Sequence, residues 1–292
     1  MKTNSKKDRQ PVSVSFKIVK IVVAVIFAIH VISLLFPVIW GIVVSITPGE
    51  FVLINGLVEL PNTFRFENYL DAFTSIESSG SDFFGMFLNS IWWAVGGAAL
   101  GVIVSAITAY AVARYKFFGG KVIYWVAVIS MMIPVMSNLT ALFKLADALN
   151  ILDSPLMLIT QMGGMGFNFL VLYSFFKGIS GEYAEAAFID GAGHFRVFIE
   201  IYAPLAVSSM IALAMTTFIA LWGDAQFPLM FIESYPTLSS GLYNYRTEQV
   251  RSNEQMPILY ASLLISTIPV IVLFMAFRDK FMDMQISGGI KG

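Results

Sequence analysis

The sequence predicts an all-α fold: a polytopic membrane helix bundle of six transmembrane helices, with both termini in the cytoplasm. Three observations predict it. The 292 residues are 57% hydrophobic and only 13% charged, whereas a soluble domain carries about 25% charged residues. Six stretches, each long enough to cross a bilayer at about 20 apolar residues, contain no Asp, Glu, Lys or Arg. The 18 basic residues are shared unevenly between alternate connections. The same composition, with a mean hydropathy of +0.76, excludes a soluble globular chain and a disordered one. A formal net charge of −1 gives no basic footprint for nucleic acid. The absence of cysteine removes disulfides, Cys-ligated metals and thiol catalysis. His30 and His194 lie too far apart for a local zinc signature.

Taken in order, residues 1–20 form a cytoplasmic tail carrying Lys2, Lys6, Lys7, Arg9, Lys17 and Lys20. The run 21–46 is too long for the apolar core of a signal peptide, and no small-residue cleavage site follows it, so it reads as a first span, kinked at Pro37. Residues 21–82 then comprise the first transmembrane helix and a long, polar extracytoplasmic loop from 47 to 82. Five more spans follow at 83–113, 122–143, 155–176, 201–222 and 257–277. The second is long enough to tilt. With the N-terminus inside, fourteen of the 18 basic residues fall on cytoplasmic segments, and only Arg65, Lys144, Arg246 and Arg251 fall outside. A second long outside loop, 223–256, carries Tyr235, Tyr243, Asn244 and Tyr245. Such a loop is expected to touch a partner through its aromatic and amide groups, or else to pack on its own span ends.

The source of energy must lie elsewhere. The chain has no GxxxxGK[ST] phosphate loop. Ion-coupled transporters place ionisable groups inside the bundle, and the spans here hold only His30, which reads as a neutral, hydrogen-bonded residue. No carboxylate pair or Ser/His arrangement within the spans suggests an intramembrane enzyme. A protein of this kind either conducts passively or is driven by a partner, and residues 177–200 are the only sizeable cytoplasmic connection on which a partner could push.

That connection carries the sharpest pattern. Ser180 can cap a short helix whose first turn holds Glu182. Ser180, Ala184, Ala187 and Gly191 recur at helical spacing and form a stripe of small residues where another surface can approach closely. Gly191 and Gly193 end the helix. A second segment places Phe195, Phe198, Ile199 and Tyr202 together, with Arg196 and Glu200 one i,i+4 step apart. Pro204 suits the first turn of span five. The expected result is a helix–turn–helix elbow, or, more plainly, an amphipathic loop lying at the membrane interface.

Glu185-Ala186-Ala187, followed by Gly191, Ile201 and Pro204, resembles the EAA loop of bacterial ABC importer permeases. The string from Glu185 through Asp190 and Gly191 to Ala192 resembles the carbohydrate, maltose-type branch of these binding-protein-dependent transporters, in particular its second permease. Ala203 departs from the leucine usual before the proline. Asn89-Ser90, the run from Ala109 to Arg114, Met132-Ile133-Pro134, Trp222-Gly223-Asp224 and the tail from Gln285 to Gly292 resemble further motifs of that family, with Gly223 replacing its asparagine. The resemblance makes residues 83–292 the permease transmembrane domain, with the coupling loop at about 177–203.

What the resemblance implies is a subunit without enzymatic activity, in the bacterial cytoplasmic membrane. It would enclose a carbohydrate path together with a second homologous permease. Two cytoplasmic ATPase subunits would bind the ATP and Mg²⁺, this chain holding no cofactor. An extracytoplasmic solute-binding protein would deliver the sugar. Glu182, Glu185, Ala186, Ala187, Asp190 and Gly191 would couple to the ATPases. Gln161, Asn168 and Tyr173 in span four are candidates for the substrate path, because sugar recognition uses amides and aromatic faces; the plainer reading is hydrogen bonding across helices. Tyr243, Asn244 and Tyr245 are candidates for the binding-protein contact. The glycines Gly163, Gly164 and Gly166 permit close helix contact or local unwinding, and Asp224 caps or anchors the end of span five. The competing readings are an ABC permease for a non-sugar solute and a self-contained channel or secondary transporter.

Overall fold

The computed structural model describes residues 14–57, 59–132, 138–163, 166–250 and 252–289, and of residues 14–17, 138, 249 and 281–289 the backbone alone. The chain is mostly helical. Helix α1 (Val14–Ser45) continues past Pro37, which does not end it. The long polar loop is itself folded: α2 (Gly49–Asn55), α3 (Asn68–Ser75) and a hairpin of β1 (Glu77–Ser78) and β2 (Ser81–Asp82) lie in it. Asn68, 1% exposed, explains this, because its amide donates to the carbonyls of Ser45 and Thr47 and ties α3 to the end of α1. The hairpin turn uses Ser79 and Gly80, both at positive φ, as a two-residue turn requires.

Helix α4 (Phe83–Arg114) is the axis of the bundle. Asp82 caps it, accepting from the Gly85 amide at 2.8 Å. Its buried face is built of small residues, among them Ala94, Gly97, Ala98, Gly101, Ser105 and Ala106. These let neighbouring backbones approach, as packing within a bilayer demands. Helix α10 (Ala203–Gly223) and α7 (Phe167–Gly178) pack along it, and α13 (Met256–Gly289), with Pro269 inside, lies against α10 and α1.

The fourth apolar stretch is not a single helix, and of the third two helical segments are described. Helix α5 (Gly120–Met132) is 13 residues long, and α6 (Asn138–Ala148) resumes beyond residues outside the described set, which include Ile133, Pro134 and Met136. The fourth begins as a 3₁₀ segment (Pro155–Met162) and continues as α7 with a 48° bend. Gly163 lies at that bend, while Gly164 falls outside the described residues. Among the described residues, four helices are long and apolar enough to span a bilayer, and the bent pair brings the number to five.

Three interior clusters lie along the bundle among the described residues, one of them formed by Trp93, Ala146, Met157, Phe231 and Ile232. Another, at the Arg114 end, is aromatic: Tyr110, Phe169, Phe176, Phe198 and Tyr202. The third, toward Phe83, holds Met86, Phe218, Trp222, Leu242 and Tyr245. The segment after α10 is likewise folded, into α11 (Gln226–Phe231), α12 (Leu238–Asn244), a π turn (Tyr245–Gln249) and a 3₁₀ turn (Asn253–Gln255). A reciprocal cap between Thr237 and Ser240 starts α12.

Candidate functional site

The elbow between α7 and α10 is formed by α8 (Glu182–Ile189), α9 (His194–Val197) and a π turn (Phe198–Tyr202). Ser180 accepts from the Glu182 amide at 3.3 Å, and Glu182 and Glu185 occupy the first turn, where a helix favours negative charge. The helix ends at Asp190, and Gly191 takes φ +82, a backbone angle that glycine adopts without steric cost. Arg196 donates through Nε to both carboxylate oxygens of Glu200 at 2.9 Å on an exposed face.

The orientation of α8 corrects one expectation. Ala184 and Ala187 of the small-residue stripe are half-buried against this chain's own aromatic cluster. The close approach they allow is therefore intramolecular. The outward face carries Glu182, Tyr183, Ala186, Ile189 and Asp190, with Ile189 86% exposed. The second segment also splits: Phe198 and Tyr202 are buried, while Phe195 and Ile199 are exposed. Residues at i and i+4 share a helix face, so the four aromatic and aliphatic positions form two faces and not one.

The elbow is fastened to the end of α4 by Arg114 and Tyr115. Arg114, the last residue of α4, donates to the carbonyls of Ile179 at 2.9 Å and Ser180 at 3.2 Å. Its guanidinium lies 4.9 Å from the centre of the Tyr202 ring. Tyr115 Oη is 3.0 Å from His194 Nδ1 and 3.1 Å from Tyr110 Oη. The His194 ring sits between Tyr115 and Phe188 in edge contacts. A small cavity of about 220 Å³ lies behind α8, lined by Tyr110, Arg114, Glu185 and Tyr202 among others. Glu185 therefore faces the chain's own arginine across this space as well as the exterior. These contacts join the segments on either side of α8 directly to the end of α4. The sequence held Arg114 and His194 in view only as a motif letter and a lone histidine, since nothing local relates Arg114 to a carbonyl 65 residues on.

The remaining candidates lie apart from the elbow. Gln161 is half-buried in the 3₁₀ segment, its side chain lying against the glycine face of α4 at Gly97. Asn168 donates to Thr217 Oγ1 at 3.2 Å, a bond across α7 and α10. Tyr173 packs on Tyr124 and Phe169 and lies beneath the Lys177 ammonium. The three occupy successive levels of the same broken helix pair without meeting in one pocket. Asp224 caps α11, accepting from the amides of Gln226 and Phe227. Of the outer trio, Tyr243 is 54% exposed, Asn244 is half-buried and donates to Ser78, and Tyr245 is 3% exposed. Burial pushes the Tyr245 phenol up from its ordinary value and withdraws its ring from any partner. His30 lies on an exposed face of α1.

An axial helix, a broken span beside it and a helical elbow pinned to two span ends define a multi-span membrane protein. The chain belongs to the family described as the inner membrane component of binding-protein-dependent transport systems, whose model matches residues 101–282. It is 29% identical over 249 residues to the diacetylchitobiose uptake system permease protein NgcG of Streptomyces coelicolor, covering 84% of this chain and 80% of that protein. It is 28% identical to the trehalose transport system permease SugB of Mycobacterium tuberculosis, covering 88% of this chain and 93% of the relative. With the galactooligosaccharides permease GanQ of Bacillus subtilis it shares 29% identity, over 91% and 94% of the two chains. The fold is similar to a chain of a bacterial ABC transporter that imports the acidic polysaccharide alginate, with a TM-score of 0.79 and 22% identity, covering 92% and 98%.

Proposed function

We propose that this chain is a permease subunit of an ATP-driven ABC importer for a carbohydrate, an oligosaccharide or related sugar, in a bacterial cytoplasmic membrane. In this reading it has six spans with both termini inside and lines the path together with a second homologous permease. Two ATPase subunits holding ATP and Mg²⁺ engage the elbow, and a solute-binding protein delivers the sugar outside. The observation that carries the reading is the elbow itself: an outward face of Tyr183, Ala186, Ile189 and Asp190 on a helix whose inner face is locked to the spans. The sugars in the names of its relatives support the substrate class.

The mechanism follows from the contacts. A partner seated over Tyr183, Ile189 and Phe195 removes exposed apolar surface from water, which favours docking. Glu182, Glu185 and Asp190 give the docked face a negative character suited to basic groups on the ATPase. Ala186 leaves room beside them, and Ala187 seats α8 on the bundle. Displacement of α8 then pulls on Arg114 and Tyr202, and so on α4 and α10 together. Asn168 and Gln161 border the broken span, where local rearrangement can expose amides to a sugar, and Tyr173 offers a ring nearer the elbow. Tyr243, with Asn244 beside it, is the exposed part of the outer trio that a solute-binding protein can touch, while Tyr245 supports it from within.

The test compares Gly191→Trp and Glu185→Lys with Lys2→Glu in the co-expressed complex. All three are expected to reach the membrane, and only the first two to lose sugar uptake. Normal uptake by both elbow variants would reduce the elbow to an interfacial helix. Co-purification of the wild-type chain without any ATPase would favour a self-contained channel.

A further inference from the structure

We infer that the cavity at the junction of α4 and α5 is a binding site for the phosphate headgroup of an anionic membrane lipid. The cavity measures about 650 Å³ and is lined by Arg114, Lys116 and Lys121 together with Tyr115, Tyr124 and Trp125. Among the described residues no acidic side chain lines it. It opens where one span ends and the next begins, which is the depth of lipid headgroups whichever way the chain is inserted.

The cations divide into one that is committed and two that are free. Arg114 already serves the Ile179 and Ser180 carbonyls and the Tyr202 ring. Lys116 and Lys121 are exposed and take part in none of the ion pairs formed among the described residues. Two ammonium groups on the wall of one concave site, with α5 presenting the positive end of its dipole at Gly120, make a field that favours an anion. Lys177 adds charge beside the Tyr173 wall, its Nζ 5.4 Å from that ring.

The surroundings specify that the anion is carried by a lipid. Phe118 is fully exposed and Trp125 is 59% exposed, next to the lysines. Large apolar and indole side chains placed beside basic residues suit the membrane interface, where rings lie at headgroup level and acyl chains begin. A dissolved phosphate would use the lysines and leave these rings bare. A phosphatidylglycerol-type lipid satisfies both: its phosphodiester lies between Lys116 and Lys121, and its chains cover Phe118 and Trp125. Basic pockets between transmembrane helices are a general means of holding such headgroups.

Trp125 provides the reporter. The full chain is placed in phosphatidylcholine nanodiscs doped with phosphatidylglycerol brominated on its acyl chains, or with phosphatidylcholine brominated in the same way. The Trp125-dependent fluorescence is taken as the difference from Trp125→Phe. Stronger quenching by the anionic lipid is expected in the wild type and in Lys116→Arg/Lys121→Arg. Replacing each lysine by glutamine is expected to lower the preference about fivefold. Equal quenching by the two lipids in the wild type would overturn the assignment. So would an undiminished preference in Lys116→Gln/Lys121→Gln. Loss of the preference on adding inorganic phosphate would assign the site to a free anion and overturn the lipid. None of these outcomes depends on sugar transport, so failure here is distinct from failure of the permease reading.

Discussion

Gly191 has a backbone angle of φ +82 and no heavy atom within 4 Å of where a Cβ would stand, whereas Gly193, equally open, has an ordinary φ of −75. Replacing Gly191 with alanine therefore meets conformational strain and not a clash, at a cost of about 1 kcal/mol. Gly191→Ala is expected to lower uptake by the assembled transporter, and Gly193→Ala to leave it near wild type; equal effects would mean that the backbone angle is irrelevant. Arg114 gives a second test. Its bonds to two carbonyls are charge-assisted, and removing such a donor costs about 1.5–3 kcal/mol, with partial exposure favouring the lower end. Arg114→Ala is expected to lower the melting temperature of the solubilised chain and to speed proteolysis at the elbow. Arg114→Lys should restore little, because a single ammonium cannot reproduce the forked geometry. At this scale the sequence was legible where chemistry is local, as in the Ser180 cap and the Arg196–Glu200 pair, whereas the side chain of Asp224, expected to cap or anchor the end of span five, serves the first amides of α11. It was illegible for Ala184 and Ala187, because a stripe of small residues looks the same whether the close neighbour is a partner or the chain itself.

Apolar runs marked the helices well, and the breaks within them poorly. Hydropathy counts carbon and is blind to backbone geometry, so 155–176 read as one span although its first third is 3₁₀ and bent from α7. The helices within the outer loops were not foreseen for a related reason, although packing of 223–256 on its own span ends was one of the two expectations for that loop. Their order rests in part on long-range bonds, such as Asn68 to Ser45 and Thr47, and Asn89 to the Pro236 carbonyl. Helix α12 shows how tightly one such element is seated. Gly241 lies against Met86 of α4, which is fully buried, and a Cβ there would overlap the methionine sulfur. Gly241→Ala is expected to destabilise by about 1–3 kcal/mol through overpacking. Met86→Ala should cost stability alone by leaving a cavity. Because the two act on one contact, the double variant is expected to be more stable than the sum of the two losses predicts. Simple additivity in thermal unfolding would show that α12 and α4 are not packed as described.

For the molecule as a whole, the question left by the third stretch, described only on either side of residues 133–137, is how many times the chain crosses the bilayer. The positive-inside distribution demands an even number of crossings between the tail 1–20 and the basic end at Arg278 and Lys280. The four long helices and the bent pair together make five crossings, which would place those two ends on opposite sides. In the proposed six-span topology the 122–143 run, which contains α5 and the start of α6, supplies the sixth. A reporter scan separates the alternatives. The Ser79–Gly80 turn is an exposed hairpin tip at positive φ, and Lys116 sits on the short α4–α5 connection, so insertions there disturb no packed element. With six spans, reporters at Ser79 and near Asn244 are expected outside, and those after Lys116 and at the C-terminus inside. With five, the signals up to Lys116 are unchanged, but the Asn244 reporter moves inside and the C-terminal one outside. The elbow would change sides with them and be carried away from any cytoplasmic ATPase, so the Asn244 and C-terminal signals decide the topology and the coupling role together.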